Sequence, residues 1–125
     1  MIAPHSRNLF DAATLDIWAR RATDDAFVQR QRVLADLCLG LRNTDTGEQA
    51  WLVVLEDGVQ AGTGTRATDF TLEGGQQAFD DLCCGFPFNR LVRQHRLTVA
   101  GNLRSCVQNW LLVYGLIRLI VSLEI

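Results

Sequence analysis

In Ala50-Trp51-Leu52-Val53-Val54-Leu55-Glu56-Asp57-Gly58 the first six residues are an unbroken apolar run of strand length, followed by Glu56 and the turn pair Asp57-Gly58. A run without alternation predicts a strand covered on both faces, hence a central one, and Asp57-Gly58 predicts a tight hairpin after it. On its N-terminal side Val33, Ala35, Leu37, Leu39 and Leu41 recur at every second position, the pattern of a first strand with one buried face. Asn43-Thr44-Asp45-Thr46-Gly47 supplies the turn between the two. On the C-terminal side Val59, Ala61, Thr63 and Thr65 alternate with Gly62 and Gly64. Residues 67–73 form a fourth strand with Phe70 and Leu72 on one side. Consecutive strands joined by short turns predict a meander.

Gly74-Gly75 ends this block. Ala78, Phe79, Leu82 and Cys83 then repeat at helical spacing up to the stop signals Gly85 and Pro87. A short helix with Leu91 and Val92 follows, and residues 96–100 alternate again as a fifth strand, with Leu97 and Val99 together. The N-terminal third reads as helix, with Phe10, Ala13, Ile17 and Trp18 in a stripe and Asn8 as cap. Thr23-Asp24-Asp25 starts a second, short helix carrying Phe27 and Val28. Everything after residue 102 reads as one long helix. Leu103, Val107, Trp110, Tyr114, Ile117 and Val121 recur along it at heptad-like spacing, opposite Arg104, Ser105, Gln108 and Asn109. From Leu111 onward it is apolar nearly all round, Arg118 being the single charge before Glu124, so something has to cover it. A membrane span needs about 20 apolar residues, more than this interrupted run supplies.

A length of 125 residues, 48% hydrophobic and 21% charged, fits one globular domain. The net charge is -2, and all 12 basic residues are Arg, scattered along the chain. That balance argues against a nucleic-acid partner and gives no polybasic stripe for a membrane. The start of the chain lacks the charged and apolar regions of a secretory signal, so a cytoplasmic location is expected. Cys38, Cys83, Cys84 and Cys106 have no C-x-x-C spacing and are expected to be reduced and mostly buried.

Candidate chemistry is sparse. Cys83-Cys84 with His95 fails as a zinc site, because adjacent helical residues point about 100° apart and a fourth ligand is missing. Asp24-Asp25 and Asp80-Asp81 are neighbours that do not face each other, unlike a proton-sharing dyad. Gly62-Thr63-Gly64-Thr65 lacks the Lys of a phosphate loop and precedes no helix. Asp69, beside Phe70, is expected to take donors from a neighbouring turn. No catalytic residue, metal ligand or cofactor site is assigned.

Several segments, in this order, resemble the sterol carrier protein 2-like lipid-binding family. They are Trp51-Leu52-Val53-Val54-Leu55-Glu56-Asp57-Gly58, Ala67-Thr68-Asp69-Phe70-Thr71-Leu72 (with Thr68 inserted), Phe79-Asp80-Asp81-Leu82-Cys83-Cys84-Gly85 and Arg96-Leu97-Thr98-Val99-Ala100-Gly101-Asn102. His95 departs from the pattern, standing where the family usually has Gly. The resemblance implies an α+β fold, a five-stranded, mostly antiparallel sheet covered by N-terminal, central and C-terminal helices. Residues 1–32 would be an N-terminal helical segment packed on a lipid-binding body of residues 33–125. It further implies non-catalytic binding or carriage of a fatty acyl chain, sterol or quinone-type molecule in an apolar tunnel between sheet and C-terminal helix.

By position in that pattern the lining comprises Trp51, Val53, Phe70, Phe79, Phe86, Phe88 and Leu91, followed by Val92, Leu97, Val107, Trp110, Leu111 and Tyr114. Two other classes of function compete. A small enzyme of the ketosteroid-isomerase type would need a carboxylate such as Asp69 facing an open cavity. An interaction module would dock on a second copy, or on a partner enzyme, through the apolar C-terminal helix. Membrane contact is expected to be transient at most.

Overall fold

The computed structural model describes residues 9–32 and 36–123. Asp11 caps α1 (Ala12–Asp24), its carboxylate accepting from the Thr14 N–H, and Asp25 caps α2 (Ala26–Gln31) through the Val28 N–H. Each supplies a short acceptor to N–H groups that have no partner in the first turn. Asn8, the expected first cap, lies outside the described residues. Thr23, the expected second cap, serves the sheet instead. Its hydroxyl donates to the Ala19 carbonyl at 2.8 Å and accepts from the Val59 N–H at 2.9 Å.

The strands are β1 (Asp36–Asn43), β2 (Gln49–Leu55), β3 (Gly58–Thr63) and β4 (Phe70–Gly74), followed by α3 (Gln76–Cys83) and α4 (Phe88–Arg93). β5 (Leu97–Gly101), α5 (Leu103–Gln108), α6 (Trp110–Arg118) and a 3-10 turn (Ile120–Leu123) complete the chain. Val33 and Ala35, which open the expected alternation, lie outside the described residues. The five strands form one sheet in the order β3-β2-β1-β4-β5. β1 pairs antiparallel with β2 and parallel with β4, and the two outer pairings are antiparallel. The α+β class and the mostly antiparallel sheet agree with the sequence reading.

The meander does not. After β3 the chain crosses back and lays β4 on the free side of β1, so β1 becomes the central strand and β2 lies next to the edge. Alternation specifies which side chains face the core but carries no mark of which strand lies alongside. The apolar run of β2 is likewise covered on one face only. Ala50, Leu52 and Val54 are buried, whereas Trp51, Val53 and Leu55 are half-exposed on the other face.

Leu37, Leu39 and Leu41 of β1, Phe70 and Leu72 of β4, and Leu97 of β5 join the buried side chains of the helices in one cluster. Two buried polar residues brace it. Arg32 donates to the Thr23 carbonyl at 2.8 Å and the Glu56 carbonyl at 3.2 Å, placing a cation at the negative end of α1. Asn43 accepts from the N–H groups of Asp45 and Thr46 and donates to Gln76 at 2.8 Å, which shapes the β1–β2 turn. Of the cysteines, Cys106 is buried, Cys38 and Cys83 half-buried and Cys84 exposed, so mostly buried thiols were an overstatement.

The single long C-terminal helix is broken at Asn109, which has φ -107° and ψ 20° and separates α5 from α6. The buried side is Cys106, Leu112, Val113, Leu116 and Ile117. Most of the expected stripe, namely Leu103, Val107, Tyr114 and Val121, is exposed instead. α6 is apolar on nearly every side and has no phase of its own, so packing chose its face, while α5 buries Cys106 instead of Leu103 and Val107. Among the described residues no helix is long and apolar enough to cross a membrane.

Candidate functional site

α3 ends where the chain turns through Gly85, whose φ is +96°. The Gly85 N–H donates to the Leu82 carbonyl at 3.1 Å and the Phe86 N–H to the Asp81 carbonyl at 2.9 Å, so the turn is closed by the last carbonyls of α3. Only a residue without Cβ adopts that backbone at little cost. Pro87 then directs the chain into α4 and leaves the two neighbouring phenylalanines in different environments. Phe88 goes inward and stacks on Trp110 of α6, ring centroids 5.3 Å apart and planes 29° from parallel.

Phe86 stays half-buried, with the Arg96 guanidinium 5.4 Å and that of Arg90 6.0 Å from its ring centre. Arg96 is held in turn by an ion pair with Asp81. The hydrogen bond from Arg96, followed by one from Gln77, keeps the Asp81 carboxyl below the usual carboxylate range.

Opposite this turn α6 and the residues after it present Tyr114, Ile117, Arg118 and Val121. The space between is a partly open groove of about 370 Å³, within the roughly 300–1,000 Å³ of small-molecule sites. Leu82, Phe88 and Ile117, all buried, form its floor, and Phe86, Pro87, Tyr114 and Val121 its walls. Asn89 and Arg118 are the polar groups at its rim. Arg118 is fixed from behind by Asp25, and its guanidinium lies 5.3 Å from the centre of the Phe27 ring. The lining contains no carboxylate, imidazole or thiol. Such a surface can shelter an apolar body and orient a polar end, with the Tyr114 hydroxyl, Asn89 and Arg118 as its polar side-chain groups.

The structure distributes the expected lining residues among four places. Phe86, Phe88 and Tyr114 meet in the groove just described. Phe70, Phe79, Leu91 and Leu97 are core residues at most 3% exposed, Phe79 packing edge-on against Phe10 at 5.2 Å, and Val92 is partly buried against the same core. Val107, Trp110 and Leu111 lie along a shallower depression of about 240 Å³ with Gln31 of α2.

Trp51 and Val53 are on the sheet face away from the buried cluster. The Trp51 ring covers Gly62, where a Cβ would come within 2.4 Å of it, and lies under the Arg66 guanidinium at 4.5 Å. It borders a third concavity of about 440 Å³, between α1 and the β3 edge, whose other walls include Asp16, Arg20 and Asp24. The sequence reading omitted Leu82, Asn89, Ile117, Arg118 and Val121. Arg118 alone carried a signal, as the lone charge in an otherwise apolar run.

The residues of the competing chemistries stand elsewhere. Asp69 is exposed and accepts from the Cys38 N–H at 2.7 Å, while its own N–H donates to the Cys38 carbonyl at 2.8 Å. It belongs to the β1–β4 junction and lines none of the three concavities. His95 closes α4: its φ is +59°, its N–H donates to the Val92 carbonyl at 3.0 Å, and the Arg96 N–H donates to the Leu91 carbonyl at 2.9 Å. This is the double bond of a left-handed helix end, at a position that favours glycine. Among the described residues no three His, Cys, Asp or Glu side chains are grouped to hold a metal ion.

No protein-family model matches the sequence, and no curated protein matches it. Solved structures do. A crystal structure of sterol carrier protein 2 superposes with a TM-score of 0.77 over 92% of this chain and 98% of that one, at 14% identity. A Thermus thermophilus protein described as a candidate sterol carrier protein gives a TM-score of 0.73 at 15% identity, over 94% and 90% of the two chains. A UbiJ-SCP2 ubiquinone synthesis protein gives 0.57 at 18% identity, over 84% and 87%. The chain thus has the sterol carrier protein 2 fold, as the order of its sequence segments implies.

Proposed function

We propose that this protein binds and carries an apolar lipid-like molecule, a fatty acyl chain, sterol or quinone-type compound, without transforming it. The observation that carries the reading is the groove between the Gly85–Pro87 turn and α6, with its apolar floor and its two polar rim groups. Transfer of apolar surface from water gains about 25 cal/mol per Å², so covering about 200 Å² of a guest would contribute about 5 kcal/mol. The fold likeness to sterol carrier protein 2 and to a ubiquinone synthesis protein supports the same class of guest. The groove lies at the edge of the buried cluster, and an inner tunnel of the kind the resemblance implies would open from here, between α4 and α6.

Native mass spectrometry of protein purified from cells, followed by organic extraction, tests the reading, with a co-purifying lipid near one per chain as the expected result. A second measurement uses Asn89→Trp, which places a large ring at an exposed rim position. The variant is expected to weaken uptake of a pyrene-labelled fatty acid at least about tenfold, a loss equivalent to about 1.4 kcal/mol, with an unchanged circular dichroism spectrum. A protein that purifies empty and takes up neither pyrene-labelled fatty acid nor labelled sterol or quinone would overturn it.

A further inference from the structure

Leu103, Val107, Leu111, Tyr114 and Val121 are exposed apolar side chains that recur along α5, α6 and the turn that follows, a stripe interrupted by Arg118. Val107 is 72% and Leu111 59% exposed, so the stripe belongs to the surface and not to a frayed core. α6 lies between two other short helices. It touches α2 directly and through Arg118 on Phe27, and α4 through Trp110 on Phe88.

The charges on these helices are of one sign. α2, α4, α5 and α6 contain Arg30, Arg90, Arg93, Arg104 and Arg118, and not one Asp or Glu. Five of the twelve Arg, all exposed, thus lie on α6 and the three short helices beside it, in a chain whose net charge is -2. Asp25, the N-cap of α2, is engaged by Arg118.

We propose that this face docks shallowly and reversibly on an anionic lipid bilayer surface. The stripe would sit at the level of the headgroups and the arginines around it against lipid phosphates, the arrangement of an interfacial amphipathic helix. A second copy of the chain is a poor occupant, since a two-fold contact would set each arginine-rich helix against another. The proposal also rests in part on the groove reading. Tyr114 and Val121 belong both to the stripe and to the groove wall, with Arg118 at its rim, so a guest could pass between bilayer and groove without crossing water.

Co-sedimentation of the full chain with vesicles tests it. Binding is expected to phosphatidylcholine vesicles containing phosphatidylglycerol, to be at least about tenfold weaker to phosphatidylcholine alone, and to be released by high salt. The exposed-site variant Val107→Glu/Leu111→Glu is expected to lose about tenfold or more in binding while keeping its thermal midpoint.

Equal binding to both vesicle types, or full binding by the variant, would overturn the proposal. So would concentration-dependent dimerisation of the wild type that the same variant abolishes, because a second copy would then be the occupant. Docking is read without any guest: a protein that binds anionic vesicles but takes up no pyrene-labelled fatty acid removes the groove reading and leaves the docking face standing.

Discussion

The indole N–H of Trp18 in α1 donates to the main-chain carbonyl of Leu116 in α6 at 2.9 Å, a buried bond between residues 98 positions apart. Trp18 is fully buried, and its ring contributes to the cluster that carries the sheet. One side chain therefore ties the first helix to the last across the core, and the position of α6 sets one wall of the groove.

Trp18→Phe keeps an aromatic ring and removes the donor. Among the described residues the Leu116 carbonyl then keeps a long bond from the Leu119 N–H at 3.3 Å. An under-satisfied buried acceptor costs about 1–3 kcal/mol, so the unfolding free energy from urea titration should fall by that amount with the m-value unchanged. Coincident unfolding curves for variant and wild type would show that the bond contributes nothing.

His95 sits at φ +59°, where a side chain is strained and glycine is not. His95→Gly should raise stability by about 0.5–1 kcal/mol, the left-handed strain outweighing the extra freedom of glycine in the unfolded chain. His95→Val should lower it, since a branched side chain tolerates that backbone least. Thermal midpoints moving in opposite directions are the expected result; a drop in both would mean that the imidazole itself holds the end of α4.

The carboxyl of Asp81 is lowered by the hydrogen bonds from Arg96 and then from Gln77. A depressed folded value means that the contribution is complete above the ordinary carboxylate range and fades as pH falls through the folded value. Both side chains remain about a third exposed, so solvent screens the pair and the effect is small. Asp81→Asn should thus unfold more readily than wild type near neutral pH and match it in strong acid. A difference that stays constant down the acid range would assign the loss to packing beside Phe86 instead of to charge.

The inward faces of the strands were legible because Leu37, Leu39 and Leu41, and again Phe70 and Leu72, recur with a period of two among polar neighbours. β2 offers no such contrast: Trp51 and Val53 are as apolar as Leu52 and Val54, and the inward set could not be told from the outward one. The neighbour of each strand was hidden for a different reason, since hydrogen-bond partners leave no local trace. In α6 the same uniform apolarity concealed which side was buried, and with it the roles of Ile117 and Val121 in the groove. Phe86, Phe88 and Tyr114 were named by their position in the pattern the chain resembles, together with ten residues that lie elsewhere. That they meet in space depends on α6 lying across α4, a relation only the folded chain contains.

The central place of β1 also has a consequence for synthesis. β1 can pair with β2 as soon as the hairpin leaves the ribosome, but its other edge waits for Phe70–Gly74, and the buried cluster that takes in Leu37, Leu39 and Leu41 is completed only when α6 adds Leu112, Val113, Leu116 and Ile117. A half-made chain exposes an unpaired strand edge beside a greasy face, the combination most prone to sticking to its like. Truncation anywhere before α6 should therefore yield aggregates and not a smaller soluble fold, and expression of the whole chain should respond to chaperones that hold nascent polypeptides.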